Sequence, residues 1–217
     1  MSNLFWQGVY RRTLVLALLA MTCRQMAGDE RQTPAWKPLF DGKSLTHWKP
    51  TNFGGEGEVS VDDGSIVLDF GTSLTGITYT GDFPKTNYEV RLEAKRVDGR
   101  DFFVGMTFPV GEAHCSLIVG GWGGAVVGFS SIDGRDASEN DTTKFMKFEN
   151  GRWYRFRVSV TPQHLKAWID EQLVIDQAIE GRKISTRSEV DLSKPMGFAA
   201  WETKAALRKI EYRVIGN

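Results

Sequence analysis

Residues 153–170 read WYRFRVSVTPQHLKAWID. Tyr154, Phe156, Val158 and Val160 alternate with Trp153, Arg155, Arg157 and Ser159, the period of two that belongs to a half-buried strand. With Pro162-Gln163 at the turn, Val160, Val158 and Phe156 stand against Leu165, Ala167 and Ile169. One face of the hairpin is then apolar on both strands, which fixes the register because a slip of one residue would turn that face to water. The same register puts Arg157 opposite Trp168 and Arg155 opposite Asp170 on the polar face, beside Trp153, Lys166 and His164.

The pattern extends in both directions from this hairpin. Tyr88, Val90, Leu92 and Ala94 alternate with Asn87, Glu89, Arg91, Glu93 and Lys95. A turn at Asp63-Gly64 sets Val61 against Ile66 and Val59 against Leu68. Further strand signals lie at 74–80, 102–110, 115–119, 125–129, 173–178, 195–201 and 208–215, and no window shows a convincing amphipathic helix. Roughly a dozen short strands with regular turn signals predict an all-β protein, an antiparallel β-sandwich.

The chain has 217 residues, 41% hydrophobic and 12% aromatic, enough for one domain with a full core. Its first 27 residues read as a secretory signal: Arg11-Arg12 precedes the apolar run Thr13 to Thr22, too short to span a bilayer. The mature chain is expected to be exported, periplasmic or extracellular, with no membrane span. A lipid anchor on Cys23 is the alternative, though Ala20-Met21-Thr22 makes a poor lipobox. Residues 28–35 read as a linker and 36–217 as the sandwich domain. With Cys23 removed, Cys115 has no partner for an internal disulfide. The 27 basic and 27 acidic residues cancel; without Arg11, Arg12 and Arg24 the balance is 24 against 27, which disfavours nucleic acid as a partner.

Candidate site residues concentrate between Asp101 and Thr143. Trp122, framed by Gly120-Gly121 and Gly123-Gly124, reads as a ligand-facing platform or as a plug for one end of the sandwich. Asp133, Asp136, Glu139 and Asp141, with Asn140, form an acidic loop that could supply acid and base groups or be merely solvated. His114 could serve as a base near neutral pH, while its neighbour Cys115 points to the opposite face and reads as a buried apolar residue. On the other hairpin, Trp153 and Trp168 with Arg157 could stack a sugar, or the indole and guanidinium could simply cover each other. The scattered His47, His114 and His164 give no zinc pattern; whether a divalent metal binds is left open.

The stretch Pro38-Leu-Phe-Asp-Gly-Lys-Ser-Leu-Thr-His-Trp48 resembles the opening of the bacterial 3-keto-disaccharide hydrolase domain family, also described as 3-keto-glucoside lyase/hydratase-like. Asn87-Tyr88-Glu89-Val90, Gly151-Arg152-Trp153-Tyr154, Pro195-Met196-Gly197-Phe198 and Arg208-Lys209-Ile210 are similar to later family segments. The resemblance implies a concanavalin A-like, laminin G-like jelly roll and an enzyme that cleaves 3-keto-disaccharides by elimination and hydration. No redox cofactor would be needed, and the partner would be a keto-sugar or other carbohydrate. His114, Asp133, Asp136 and Glu139 are then the candidate bases, and Trp122, Asn140, Trp153, Arg157 and Trp168 the candidate substrate contacts. The middle strands depart from the family: Phe103-Val104-Gly105-Met106-Thr107-Phe108-Pro109 keeps only the glycine, and Cys115 to Gly120 lacks the usual polar groups. A non-catalytic, lectin-like binding module is therefore the alternative.

Overall fold

The computed structural model describes residues 34–216. The expected signal peptide, Cys23 and most of the linker lie outside the described residues. The described chain falls within one compact unit, Thr33–Asn217. Its strands are β1 (Lys37–Pro38), β2 (Trp48–Pro50), β3 (Val59–Asp62), β4 (Ser65–Leu68), β5 (Leu74–Tyr79), β6 (Tyr88–Gly99), β7 (Val104–Val110), β8 (Ala113–Gly121), β9 (Val126–Ser130), β10 (Lys144–Phe145), β11 (Tyr154–Val160), β12 (His164–Ile169), β13 (Gln172–Ala178), β14 (Gly197–Trp201) and β15 (Thr203–Val214). One short 3-10 segment, Ser188–Ser193, lies between β13 and β14.

The strands form two antiparallel sheets, ordered β13-β12-β11-β6-β15-β4-β3, with β1 on β15, and β10-β9-β8-β7-β14-β5-β2. The predicted hairpin registers are those observed. Val160 pairs with Leu165, Val158 with Ala167, Phe156 with Ile169 and Arg157 with Trp168. Val61 pairs with Ile66 and Val59 with Leu68. The predicted final strand is longer than its alternation suggests. Ala205 and Leu207 point inward, then one extra residue between Arg208 and Glu211 bulges the strand and resets the inward position to Ile210. That broken alternation hides the first half of β15 from a period-two reading.

The core lies between the sheets. Tyr88, Val90, Leu92 and Ala94 of β6 and Phe156, Val158 and Val160 of β11 face Val104, Met106, Phe108, Cys115, Leu117, Val119, Phe129 and Phe198 of the second sheet. Phe103 is fully buried and contacts the rings of Phe148, Tyr154 and Phe156. Cys115 is buried, and desolvation pushes its thiol up to about 12. It is therefore an apolar packing residue rather than a nucleophile.

The outer faces of the two sheets differ in chemistry. The outer face of the second sheet carries mostly small side chains in two cross-strand rows, Thr78-Gly197-Thr107-Ser116-Ser130 and Gly76-Ala199-Gly105-Ile118-Gly128, buried under the segments that cover it. The first exposes arginines, glutamates and tryptophans. Truncating the inter-sheet anchor in Phe103→Ala is expected to cost about 3–5 kcal/mol, read as a lower midpoint in urea denaturation with the slope unchanged.

Candidate functional site

A cavity of about 240 Å3 opens on the outer face of the second sheet. Its floor is the small-residue face: Ser116, Ile118 and Ser130, with Leu74 at one end. Phe102, Trp122, Trp201 and Val190 wall it, and Asp101, Arg187 and Glu189 supply charge. The glycines of the floor explain how the walls reach the sheet. A Cβ on Gly105 would lie 2.9 Å from the Phe102 ring, and one on Gly128 would lie 2.7 Å from Ala137 O. Any larger residue at these positions would lift Phe102 or the 131–143 loop off the sheet.

Asp101 shapes one rim. Its Oδ1 accepts from Phe102 N at 2.7 Å and its Oδ2 from Gly123 N at 2.9 Å, tying the Phe102 segment to the glycine loop. Trp122 sits in that loop with φ 50° and is 45% exposed. It lines the cavity and does not plug the end of the sandwich. Beneath the loop, buried Arg96 points inward from β6, its Nη2 donating to Gly124 O at 3.2 Å and its guanidinium lying 5.3 Å from the Phe103 ring. Its Nε has no partner, and burial lowers its pKa. Burying an arginine is costly unless it is hydrogen-bonded or paired; the bond to Gly124 O and the contact with the Phe103 ring offset part of that cost and tie down the loop that carries Trp122.

The acidic loop closes on itself. Asp133 lies in a tight turn with φ 53° and accepts from Arg182 Nε at 2.6 Å and Lys183 N at 2.8 Å. These bonds, that to Lys183 foremost, hold its carboxyl below the usual range. Asp136 accepts from Ser138 N and Oγ and from Arg187 Nη1 at 2.8 Å. Glu139 is exposed, its N–H closing a turn onto Asp136 O. Asn140, only 8% exposed, donates to the carbonyls of Phe129, Arg135 and Asp136 and accepts from Thr142 N and Oγ1. Its amide is spent inside the loop, which corrects its reading as a substrate contact.

His114 is half-buried at the start of β8, opposite Pro109. Burial, then Lys194 and Lys85, lowers its pKa, and the acids near it are Asp191 and Glu112. None of the candidate bases His114, Asp133, Asp136 and Glu139 lines the cavity. Asp136 alone reaches the cavity, through Arg187, which bridges it to Glu189 with Nη2 to Oε1 at 2.7 Å. That hydrogen bond also lowers the Glu189 pKa. Phe102, Arg187, Glu189, Val190 and Trp201 are the residues that sequence reasoning missed as site members.

Trp153, Arg157 and Trp168 lie on the outer face of the first sheet, with the whole core between them and Trp122. Arg157 stacks 3.7 Å over the Trp168 ring, and Lys95 and Arg208 stack on Trp153 at 4.7 and 3.9 Å. The mutual covering of indole and guanidinium is thus realised, and these residues share no pocket with Trp122. Among the described residues no group of three His, Cys, Asp or Glu is placed to hold a metal, and no helix is long and apolar enough to cross a membrane.

Asn140→Ala should take the side-chain donor from Phe129 O and the acceptor from buried Thr142 N, while Arg135 O and Asp136 O keep their backbone donors Ile132 N and Glu139 N; it should destabilise the chain by about 2 kcal/mol or more and speed amide exchange across residues 129–143. His114, whose pKa is lowered in the fold, binds its proton more weakly folded than unfolded. Stability is therefore undiminished above the ordinary histidine pKa of 6.5 and falls as pH drops below it. His114→Gln should flatten that slope in chemical-denaturation midpoints measured across the window, while the carboxylate contributions below it persist.

Solved structures with the same architecture share little sequence. The Crh5 transglycosylase has a TM-score of 0.56 at 12% identity, covering 85% of this chain and 85% of that one. The carbohydrate recognition domain of Emp46p in its potassium-bound form has 0.55 at 12%, covering 83% and 96%. A proposed glycosyl hydrolase from Parabacteroides distasonis has 0.54 at 14%, covering 83% and 94%. These likenesses establish the jelly-roll sandwich. No curated protein sequence matches the chain. The family profile of the 3-keto-alpha-glucoside-1,2-lyase-like domain matches residues 35–215, and the chain belongs to that family.

Proposed function

We propose that the chain is the carbohydrate-active domain of an exported protein and cleaves 3-keto-glycosides in the cavity on the second sheet. The observation that carries this reading is the Arg187–Glu189 pair, set beside Phe102, Trp122 and Trp201 in one cavity. A 3-ketone acidifies the proton on C2. Glu189 takes that proton, and the C2–H electron pair moves onto the C3 oxygen as an enolate, to which Arg187 donates. Collapse of the enolate expels the glycosidic oxygen from C1, which leaves as the free alcohol with the proton that Glu189 took from C2, so the carboxylate is restored. Water then adds across the C1–C2 double bond, its oxygen to C1 and its hydrogen to C2. No electrons enter or leave. The indoles and the Phe102 ring cover the apolar faces of the sugar, and Ser116 and Ser130 meet its hydroxyls.

The ion pair favours keeping Glu189 ionised but also weakens it as a base, and Asp133 and Asp136 are held by arginines. A binding module without chemistry is the second reading on that ground. Incubating the chain with a 3-keto-disaccharide and with its unoxidised parent separates them. The enzyme reading expects cleavage of the keto-sugar alone and a loss of about 100-fold or more in kcat for Glu189→Gln, with KM little changed. Saturable binding of either sugar without cleavage supports the module. Cleavage that survives Glu189→Gln contradicts the assignment of the base.

A further inference from the structure

The outer face of the first sheet carries a second cavity, of about 480 Å3, that the reading above does not use. One cross-strand row forms its floor: Trp168 on β12, Arg157 on β11, Arg91 on β6 and Glu211 on β15. Arg157 and Arg91 stand directly opposite each other, a like-charge juxtaposition that disfavours the pairing unless something offsets it. Part of the offset comes from the flanks. Arg157 Nη1 donates to Glu89 at 2.7 Å and the guanidinium stacks on Trp168. Arg91 uses Nε and Nη2 on Glu211 and stacks 4.1 Å over Trp36.

Stacking occupies a guanidinium's face and leaves its edge N–H groups in the ring plane. Glu89 takes only Nη1 of Arg157, and Glu211 leaves Nη1 of Arg91 unused. Arg155, at the same cavity, is 61% exposed and reaches Glu171 only at 3.5 Å. Five cations and three carboxylates line this cavity, and buried Glu89 beside it pairs with two of those cations, Arg157 and Arg213, which leaves one positive charge in excess. Its volume falls in the range of small-ligand sites, about 300–1,000 Å3.

We propose that this cavity is a second binding site, for an acidic saccharide. A sugar carboxylate would lie between Arg91 and Arg157 and relieve their repulsion, since planar guanidinium groups match a carboxylate in bidentate geometry. The half-buried indoles of Trp36, stacked by Arg91 and Arg213, and of Trp168, stacked by Arg157, border the site, and a sugar ring would lie along the surface that the guanidinium groups leave uncovered. The site is independent of the keto-glycoside cavity, from which the core separates it.

Calorimetric titration of the chain with tri-galacturonate, with its neutral methyl ester and with sodium sulfate, all at equal ionic strength, tests this. The uronate is expected to bind and the ester to bind about tenfold more weakly or not at all. Arg91→Gln and Arg157→Lys should each weaken uronate binding about tenfold, the second because lysine keeps the charge beside buried Glu89 but lacks the planar fork. Glu189→Gln should leave it unchanged, so failure here and failure of the keto-glycoside reading are told apart. Indole N–H resonances of Trp36 and Trp168 should shift in the unaltered chain, a readout that no variant's folding can confuse. Absence of uronate binding, equal binding of the ester, or sulfate binding as tightly as the uronate would overturn the proposal.

Discussion

The register between β6 and β11 sets both surfaces of the first sheet at once. Pairing Val158 with Val90 and Phe156 with Leu92 turns a continuous apolar face to the core. The same pairing places Arg157 against Arg91 and Arg155 against Glu93 on the outside. Neither face can be changed without the other, because adjacent residues on a strand point in opposite directions. The ionic surface must therefore tolerate a pair of opposed arginines, and it does so with indole faces and with Glu89, which is buried between Arg157 and Arg213. Removing a partner of Glu89 would strand a buried charge, so this network is worth more as a unit than its members are singly.

The second sheet meets the opposite constraint. Its inner face is as apolar as that of the first, but its outer face is built mainly of glycine, alanine, serine and threonine, with Ile118 and Leu74 among them. Small side chains let other segments lie against the strands, and three do: Phe102, the loop around Ala137 and the 3-10 segment whose Leu192 O accepts from Thr78 Oγ1 at 3.0 Å. The cavity is the space these segments leave between them. Its floor is rigid, buried strand, and its rim is loop stapled by Asp101, Arg96 and Arg187. A floor of paired strand under loop walls is a common scaffold for a binding site.

Much of this fold was legible in the sequence because strand burial writes itself as a period of two. Val160 against Leu165 and Val61 against Ile66 needed nothing but alternation and a turn. The candidate site was far less legible. Trp122 stood out by its glycine frame and does line the cavity, but Glu189 and Arg187 lie in an unremarked polar stretch, and Arg187 meets Asp136 across 51 positions. Phe102 and Trp201 read as ordinary strand aromatics. Asn140 and Asp133 looked available because composition cannot distinguish a side chain that serves a ligand from one that ties its own loop. Trp153 and Trp168 looked like companions of Trp122, and only the layering of the sheets places them on opposite sides of the core.

In the proposed reading a neutral keto-sugar is received by the second sheet and not the first. The chain has seven tryptophans, and their indole N–H signals report on both faces in one spectrum. Titrating an isotope-labelled Glu189→Gln chain with a 3-keto-disaccharide should shift the Trp122 and Trp201 signals and leave those of Trp36, Trp153 and Trp168 in place. Shifts confined to Trp36, Trp153 or Trp168, or saturable binding that moves neither Trp122 nor Trp201, would contradict it.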